Sequence, residues 1–214
     1  MPNDDFSWAF LDGSSAMIGE DRVPATLSVR EVADLILPSG EIVACDPLVG
    51  PDEPAFERRV ASGSYPVILC IARRRNAQDR VACAVLRFSD ALVSRYVMAT
   101  RPDQDIASLK PGYVFAYGVD SGIDCFMAPL AARALIARWD QEDDGDWLIG
   151  EMEQAGMYRV GWSNVSLDRQ TGANMIAFES GWGDGRFASY WGPDHDGSPV
   201  CLLTDFGVVN ADES

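Results

Sequence analysis

A single histidine, His195, occurs in the 214 residues of this chain. A Ser-His-Asp or Cys-His catalytic device would therefore have to use His195, which lies between Asp194 and Asp196 in a loop that contains Pro and Gly. No G-x-S-x-G segment of the serine-hydrolase type precedes it. The phosphate-binding patterns GxGxxG and GxxxxGK[ST] are also absent. The sequence thus argues against triad catalysis and against the common nucleotide-binding loops.

The chain also lacks paired metal-ligand motifs. It has five cysteines, and no two of them form a CxxC pair. That spacing argues against a zinc ribbon and against a thioredoxin-like redox motif. Four of the cysteines lie inside apolar runs, where a reduced, buried thiol acts as a small hydrophobic side chain. We therefore predict reduced structural cysteines, no metal site and no cofactor.

Long hydrophobic segments are missing as well. No apolar run approaches the about 20 residues that a membrane-spanning helix needs. The first residues are acidic and show neither the basic start nor the apolar centre of a signal peptide. These features predict a cytoplasmic protein that does not enter a membrane.

Basic residues are scarce: 17 Lys and Arg stand against 33 Asp and Glu, a formal net charge of −16. This charge disfavours a nucleic-acid partner, because phosphates are neutralised by clusters of Lys and Arg. It permits a basic protein partner, which an acidic surface would steer towards itself, although solubility alone also explains it. The densest acidic segment is residues 140–146, which includes Asp140, Asp143 and Asp144. We expect this segment to be an exposed acidic loop between two helices.

Apolar runs bounded by Gly, Pro and Asp are typical of strands. The main runs are residues 34–37, 41–45, 65–72, 80–88, 94–99, 113–119, 157–162, 175–178, 187–191 and 200–204. Those at 34–37 and 41–45 are predicted to form one hairpin, and the last three a meander through Gly- and Asp-rich turns at 180–185 and 193–197. In the 180–185 turn we expect Gly183 and Gly185 to have positive φ.

Helix patterns occur in two places. Ser28-Val29-Arg30-Glu31 has the form of a capping box, so a short helix or an extended lead-in is expected there. Pro129 opens a longer helical pattern, and two inserted helices are predicted near residues 129–155. The predicted fold is mostly β (α+β), an antiparallel β-sandwich or strongly bent sheet of about nine to eleven strands. It would form a single domain over residues 1–214, with residues 1–27 as an irregular N-terminal lead-in.

Two Gly- and Asp-rich turns, at 118–126 and 180–186, hold half of the candidate binding residues. Their carboxylates could converge on a metal ion or act as an acid–base set. Each Asp, however, ends a strand-like run beside Gly or Pro, where it can satisfy the backbone donors of its own turn. Trp182 and Trp191 could stack on a sugar or a base, or pack in the core. The candidate site residues are Asp46, Asp120, Ser121, Asp124, Asp140, Asp143, Asp144, Trp182, Asp184, Arg186, Trp191 and His195.

Three segments in order resemble a bacterial family of unknown function, DUF4241. The first is P-S-G-x-I-x-x-x-D-P-L, matched from Pro38 to Leu48, and the second is G-V-D-x-G-x-x-C-F-M, matched from Gly118 to Met127. The third is S-G-W-G-D-G with Y-W-G-x-D-x-x-G, matched within residues 180–197. The resemblance covers roughly residues 30–208 and implies kinship rather than an activity.

Three functions remain open from the sequence. The first is a non-catalytic intracellular module that binds a basic protein, as an immunity or antitoxin partner would. The second is a hydrolase-like enzyme that uses the carboxylates of the Gly- and Asp-rich turns. The third is a small-ligand or carbohydrate binder that uses the turn aromatics. The oligomeric state is left open.

Overall fold

The structure is a computed structural model and describes residues 5–75, 77–142 and 146–210. Its strands are β1 (Ser15–Ile18), β2 (Val23–Leu37), β3 (Val43–Cys45), β4 (Gly63–Arg73), β5 (Arg80–Arg87), β6 (Val97–Met98), β7 (Tyr117–Val119), β8 (Ile123–Met127), β9 (Trp162–Asp168), β10 (Ala173–Glu179), β11 (Gly185–Pro193) and β12 (Pro199–Asp205). Its α-helices are α1 (Pro129–Glu142), α2 (Asp146–Ala155) and α3 (Met157–Val160), and 3₁₀ turns cover Ser7–Phe10 and Ile106–Ser108.

Within these ranges the strands form two antiparallel sheets. The large sheet has the order β1-β2-β4-β5-β12-β11-β6, and β7 also pairs with β11. The small sheet has the order β3-β8-β10-β9. This arrangement confirms the predicted mostly-β antiparallel fold. Two of the three helices lie where helices were predicted, and α3 replaces the start of a predicted strand at 157–162.

The small sheet is covered on both faces, and its side chains alternate between two cores. In β8, Phe126 packs into the core shared with the large sheet, whereas Cys125 and Met127 pack into the core beneath the helices. In β10, Phe178 and Met175 divide in the same way. Because successive side chains of a strand point to opposite faces, an uninterrupted apolar run is what a doubly covered strand requires.

The helices cover the second core, on the face of the small sheet that points away from the large sheet. Pro129 begins α1, where its fixed φ and missing N–H do not disturb the helix, and Ala131 and Leu135 are buried from one face. Leu148 and Met152 of α2 are spaced i, i+4 and are also buried. Gly156, with a φ of +109°, separates α2 from α3.

The other face of the large sheet is covered by the N-terminal segment and by the loop before β6. The Phe6 ring lies 4.8 Å from the Tyr190 ring of β11 and 5.0 Å from the Tyr96 ring of that loop. Residues 1–27 were predicted as an irregular lead-in, but they contain a 3₁₀ turn, β1 and the start of β2. The prediction was wrong because edge pairing between β1 and β2 gives order to a segment without clear periodicity.

Of the two alternatives for Ser28–Glu31, a short helix or an extended segment, the structure has the extended one, because those residues lie inside the 15-residue strand β2. Backbone pairing with β4 from Thr26 to Leu37 outweighs the local capping signal. A register shift between Glu31 and Ala33 lets this long strand bend.

Two predicted hairpins are wrong in the same way. The runs at 34–37 and 41–45 do not pair, because β2 belongs to the large sheet and β3 pairs with β8 in the small one. Likewise β10 belongs to the small sheet and β11 to the large one, so the 180–184 turn crosses between sheets. The predicted β4–β5 and β11–β12 hairpins are present.

The crossing turn depends on glycine at defined positions. Gly181 has a φ of +60°, and a Cβ there would lie 2.8 Å from side-chain atoms of Phe206 and of Val208. Gly183 has the expected positive φ, +111°, with open space around it. Gly185 does not have a positive φ; a Cβ there would instead meet the Phe187 ring at 2.6 Å.

Across the described ranges, none of the helices combines the length and the apolar character needed to cross a membrane.

We expect Gly181→Ala to destabilise the protein by about 2–4 kcal/mol, the sum of a left-handed backbone for a residue with a Cβ and the crowding against Phe206 and Val208. Urea denaturation would measure the loss. Gly118→Ala is the matched control, because its φ is not positive and no heavy atom lies within 4 Å of its added Cβ. Equal stability of the two variants would contradict this account of the turn.

Candidate functional site

The two Gly- and Asp-rich turns meet at the place where the two sheets join. The amide of Ser180, in the crossing turn, donates to the carbonyl oxygen of Gly122 at 3.1 Å. Next to this contact, Gly185 of β11 pairs with Val119 of β7. The turn after β7 and the turn after β10 are therefore in contact and form one continuous surface.

Asp46 ties a third loop to this junction. It follows β3 directly, and only 2% of its surface is exposed. One carboxylate oxygen accepts from the amides of Asp120 and Ser121 at 2.9 and 2.7 Å. The other accepts from the Ser121 hydroxyl and the Leu48 amide at 2.9 and 2.8 Å. Four donors thus saturate this carboxylate, which leaves it no free lone pair for a metal ion or a reacting group.

A second buried carboxylate, Asp124, points between the sheets from β8. Its Oδ2 accepts from the Tyr117 hydroxyl at 2.6 Å, and its Oδ1 accepts from the Cys125 amide at 2.7 Å. The Tyr117 hydroxyl also lies 3.4 Å from the hydroxyl of Thr204, which is 2.8 Å from that of Ser189. A chain of polar side chains therefore links the small sheet to β7, β11 and β12.

Burial sets the protonation of this chain. Burial raises the pKa of Asp124 to about 8. The hydrogen bonds from Tyr117 and Cys125 and the charge of Arg101 act to lower the pKa of Asp124, whereas the charge of Asp46 acts to raise it. Burial and the nearby Asp124 carboxylate raise the pKa of Tyr117 well above its usual value. Around neutral pH Asp124 is therefore largely a neutral acid enclosed in protein.

Arg101 is the buried cation of the junction. Only 6% of its surface is exposed, and its guanidinium lies 5.0 Å from the centre of the Tyr117 ring. It donates to the carbonyl oxygen of Ala44 at 2.6 Å and forms an ion pair with Glu53. Arg101 and Tyr117 were not among the sequence candidates. A lone Arg before Pro102 and a Tyr inside a strand carry no local signal of such a role.

The outer side of the junction is exposed and forms what we call the turn face, made of residues 120–122, residues 180–184 and Tyr158. Asp120 and Asp184 are exposed on it. Trp182 is 45% exposed, and its ring lies 5.4 Å from the Arg74 guanidinium and 5.3 Å from that of Arg80. The indole therefore lies close to two cations of the β4–β5 hairpin.

A cleft of about 280 Å³ opens on the turn face. Its walls include Ser121, Arg80 and Glu179, and the backbone of Gly181 and Gly183. Half-burial raises the pKa of Glu179, and the nearby Arg80 opposes this rise. The cleft thus offers one cation and one carboxylate beside an exposed aromatic ring.

The remaining candidates lie elsewhere or outside the described ranges. Trp191 is 3% exposed and packs near Phe88 and Arg58, so it belongs to the core rather than to a stacking surface. His195 is exposed in the β11–β12 turn, at the opposite end of β11 from the junction, roughly 26 Å away at 3.3 Å per residue.

The remaining sequence candidates are Arg186 and the three acidic residues Asp140, Asp143 and Asp144. Arg186 is exposed, and its guanidinium donates to the carbonyl oxygen of Ala116 at 2.9 Å. Asp140 is exposed near the end of α1, and Asp143 and Asp144 lie outside the described residues. In the part of the chain that the structure describes, no group of three or more His, Cys, Asp or Glu side chains is arranged to hold a metal ion.

We expect Asp46→Asn to destabilise the protein by about 2–4 kcal/mol. The amide of Asn keeps one acceptor oxygen, but its NH₂ group would face the N–H and O–H donors that now bind the second carboxylate oxygen. Chemical denaturation would measure the change. Asp120→Asn makes the same substitution on an exposed side chain of the same turn, and its effect should stay within about 0.5 kcal/mol. A similar loss in both variants would contradict the role of Asp46.

The pKa of Asp124 gives a pH dependence with a definite sign. The unfolded carboxyl titrates near its ordinary value of about 4, whereas the folded one titrates at about 8. Between these values the folded state holds the extra proton, so the stability that this group contributes is complete below about pH 4 and is lost as the pH rises through 8. Asp124→Asn should remove this slope, at most about 1.4 kcal/mol per pH unit.

Denaturation at several pH values between 4.5 and 9, compared with Asp120→Asn, would test this dependence. Parallel stability curves for wild type and Asp124→Asn would contradict a raised pKa at Asp124.

Comparisons with known proteins agree with the sequence motifs that frame the junction. Neither a search of curated proteins nor a search of solved structures found a match to this chain. The family model of DUF4241, a protein of unknown function, matches residues 35–204. That range includes Asp46 and both Gly- and Asp-rich turns. The chain therefore belongs to the DUF4241 family of proteins of unknown function.

Proposed function

We propose that this protein is a non-catalytic intracellular module that binds a basic protein partner, in the manner of an immunity or antitoxin protein. The observation that carries the proposal is the 45% exposure of Trp182, close to Arg74 and Arg80, on the turn face. Trp, Tyr and Arg are enriched at the energetic centres of protein interfaces. An indole already held in place also loses little freedom when a partner binds.

Neighbouring apolar side chains extend this patch. Tyr158 lines the cleft and is 64% exposed, and Val160 of the same short helix is 48% exposed. Val49, which follows the cleft residue Leu48, is 57% exposed. Exposed apolar groups clustered around a polar cleft are typical of interaction surfaces. The turn face therefore has the composition of a binding site for another protein.

The charge of the surrounding surface supports a basic partner. Helix α2 exposes Glu151 and Glu153 and leads through Gly156 directly into α3, which carries Tyr158. With a net charge of −16, the protein would attract a basic protein over long range and release it more readily at high salt. Glu179 supplies a carboxylate inside the cleft, opposite which a Lys or Arg of the partner could sit.

The hydrolase alternative has less support. Asp46 has no free lone pair, and Asp124 is enclosed between the sheets at 0% exposure. A carboxylate that substrate and water do not reach gives no general acid or base for hydrolysis. The exposed Asp120 and Asp184 remain, but they lie on the turn face beside Trp182, where they would serve recognition equally well.

The proposal is tested by placing a photo-crosslinking amino acid at position 158 and, as a matched control, at position 113, in the cell from which the protein comes. Both positions carry a tyrosine, 64% and 67% exposed respectively, and only Tyr158 lines the cleft. We expect one protein to be cross-linked from position 158 and not from position 113.

The captured protein would then be purified and titrated against wild type and Trp182→Ala. We expect the substitution to weaken binding about ten-fold or more, as for an interface anchor, and added salt to weaken binding further. The same adducts from both positions, or an unchanged affinity of Trp182→Ala, would contradict the proposed interface.

A further inference from the structure

A second, larger cleft lies on the opposite side of the large sheet from the small sheet. Its volume is about 930 Å³, at the upper end of the about 300–1,000 Å³ common for small-molecule sites. Its floor is the outer face of β2, β4 and β12, which contributes Val29, Ile68 and Val200. One wall is the N-terminal segment and the other is the loop of residues 90–96.

The walls of this outer cleft are held in place. Ser94 donates its amide and its hydroxyl to the carbonyl oxygen of Pro193, at 2.8 and 3.0 Å, which anchors the loop to the end of β11. The Val29 amide donates to the carboxylate of Asp12, which anchors the N-terminal segment to β2. The two walls also touch each other through Phe6 and Tyr96. The outer cleft therefore exists without a ligand, as pre-formed binding sites do.

Both polar and apolar side chains line the outer cleft. Phe10, Val29 and Ile68 give it an apolar interior. Leu92, which also lines the cleft, is 85% exposed, and Phe10 and Val29 are partly exposed within it. An apolar chain lying there would cover Leu92 and the exposed parts of Phe10 and Val29, and removing this apolar surface from water is favourable.

The charges at the rim indicate the head group of such a ligand. Asp90 is paired with Arg87 at 2.8 Å, and the Asp5 carboxylate accepts from the Ser7 amide. Arg95 is exposed, and within the described ranges it has neither a hydrogen bond nor an ion pair. A cation without a protein partner beside an apolar cleft, in a protein with a net charge of −16, fits a negatively charged group of the ligand.

We propose that the outer cleft binds a single-chain carboxylate amphiphile, a fatty acid, with its chain on the floor formed by Val29 and Ile68 and its carboxylate at Arg95. This site lies on a different face of the large sheet from the turn face. It therefore does not depend on the proposed protein partner.

Isothermal titration of the intact protein with decanoate, decanol and decylammonium, below their micelle concentrations, tests the proposal. We expect saturable 1:1 binding of decanoate, weaker binding of decanol and the weakest binding of decylammonium. Arg95→Gln should weaken decanoate binding about ten-fold and leave decanol unaffected, because only the ionic contact is lost. Lys110→Gln removes another exposed cation outside the outer cleft and should change nothing.

Leu92→Glu tests the mouth of the outer cleft without endangering the fold, because the side chain is 85% exposed. It should weaken decanoate binding at least as much as Arg95→Gln does, whereas Ile106→Glu, at a 42% exposed position outside the outer cleft, should not. No saturable heat with wild type overturns the proposal. Equal decanoate affinity in wild type, Arg95→Gln and Leu92→Glu overturns the site, and a preference for decylammonium overturns the assigned head group.

Discussion

The junction of the two sheets depends on the hydrogen bonds that the Asp46 carboxylate accepts. It stands at the end of β3, in the small sheet, and binds the amides of Asp120 and Ser121 in the turn that leads from β7, in the large sheet, into β8. The same turn receives the hydrogen bond from Ser180 at the crossing turn. One buried anion thereby sets the position of three chain segments, since each backbone donor there would be costly to bury without a partner.

That role limits what the junction can do chemically. Asp46 and Asp124, two of the carboxylates considered as an acid–base set, hold the sheets together, and their lone pairs are directed into the protein. The groups of the junction that a ligand could reach are those exposed on the turn face, namely Trp182, Asp184 and the rim of the cleft on that face. On this face, the Trp182 ring lies near the guanidinium groups of Arg74 and Arg80.

The two candidate binding surfaces follow from the layered order of the molecule. The turn face arises where the chain passes between sheets, since a crossing exposes turns instead of continuing a strand. The outer cleft arises where two irregular segments, rather than a third sheet or a helix layer, cover the large sheet incompletely. Loops positioned by a rigid scaffold are common places for binding sites, and both surfaces are of this kind.

Local sequence determined which segments are strands and which are helices over much of the chain. Runs such as 65–72 and 80–88 were recognisable because a doubly covered strand needs uninterrupted apolar residues, and the 129–155 helices because Pro129 and a repeating apolar face mark them. The relationship to the family could also be recognised from the sequence, because its three motifs are short continuous segments that occur in order along the chain. Only the tertiary structure decided which strands pair. The alternation of side chains along a strand shows which faces are apolar but not which strand pairs with it. The β2–β3 and β10–β11 segments therefore looked like hairpins, although their strands belong to different sheets. For the same reason, the sequence did not indicate the buried roles of Tyr117 and Arg101 or that Trp191 lies in the core. The role of each side chain depends on which residues of the rest of the fold pack against it.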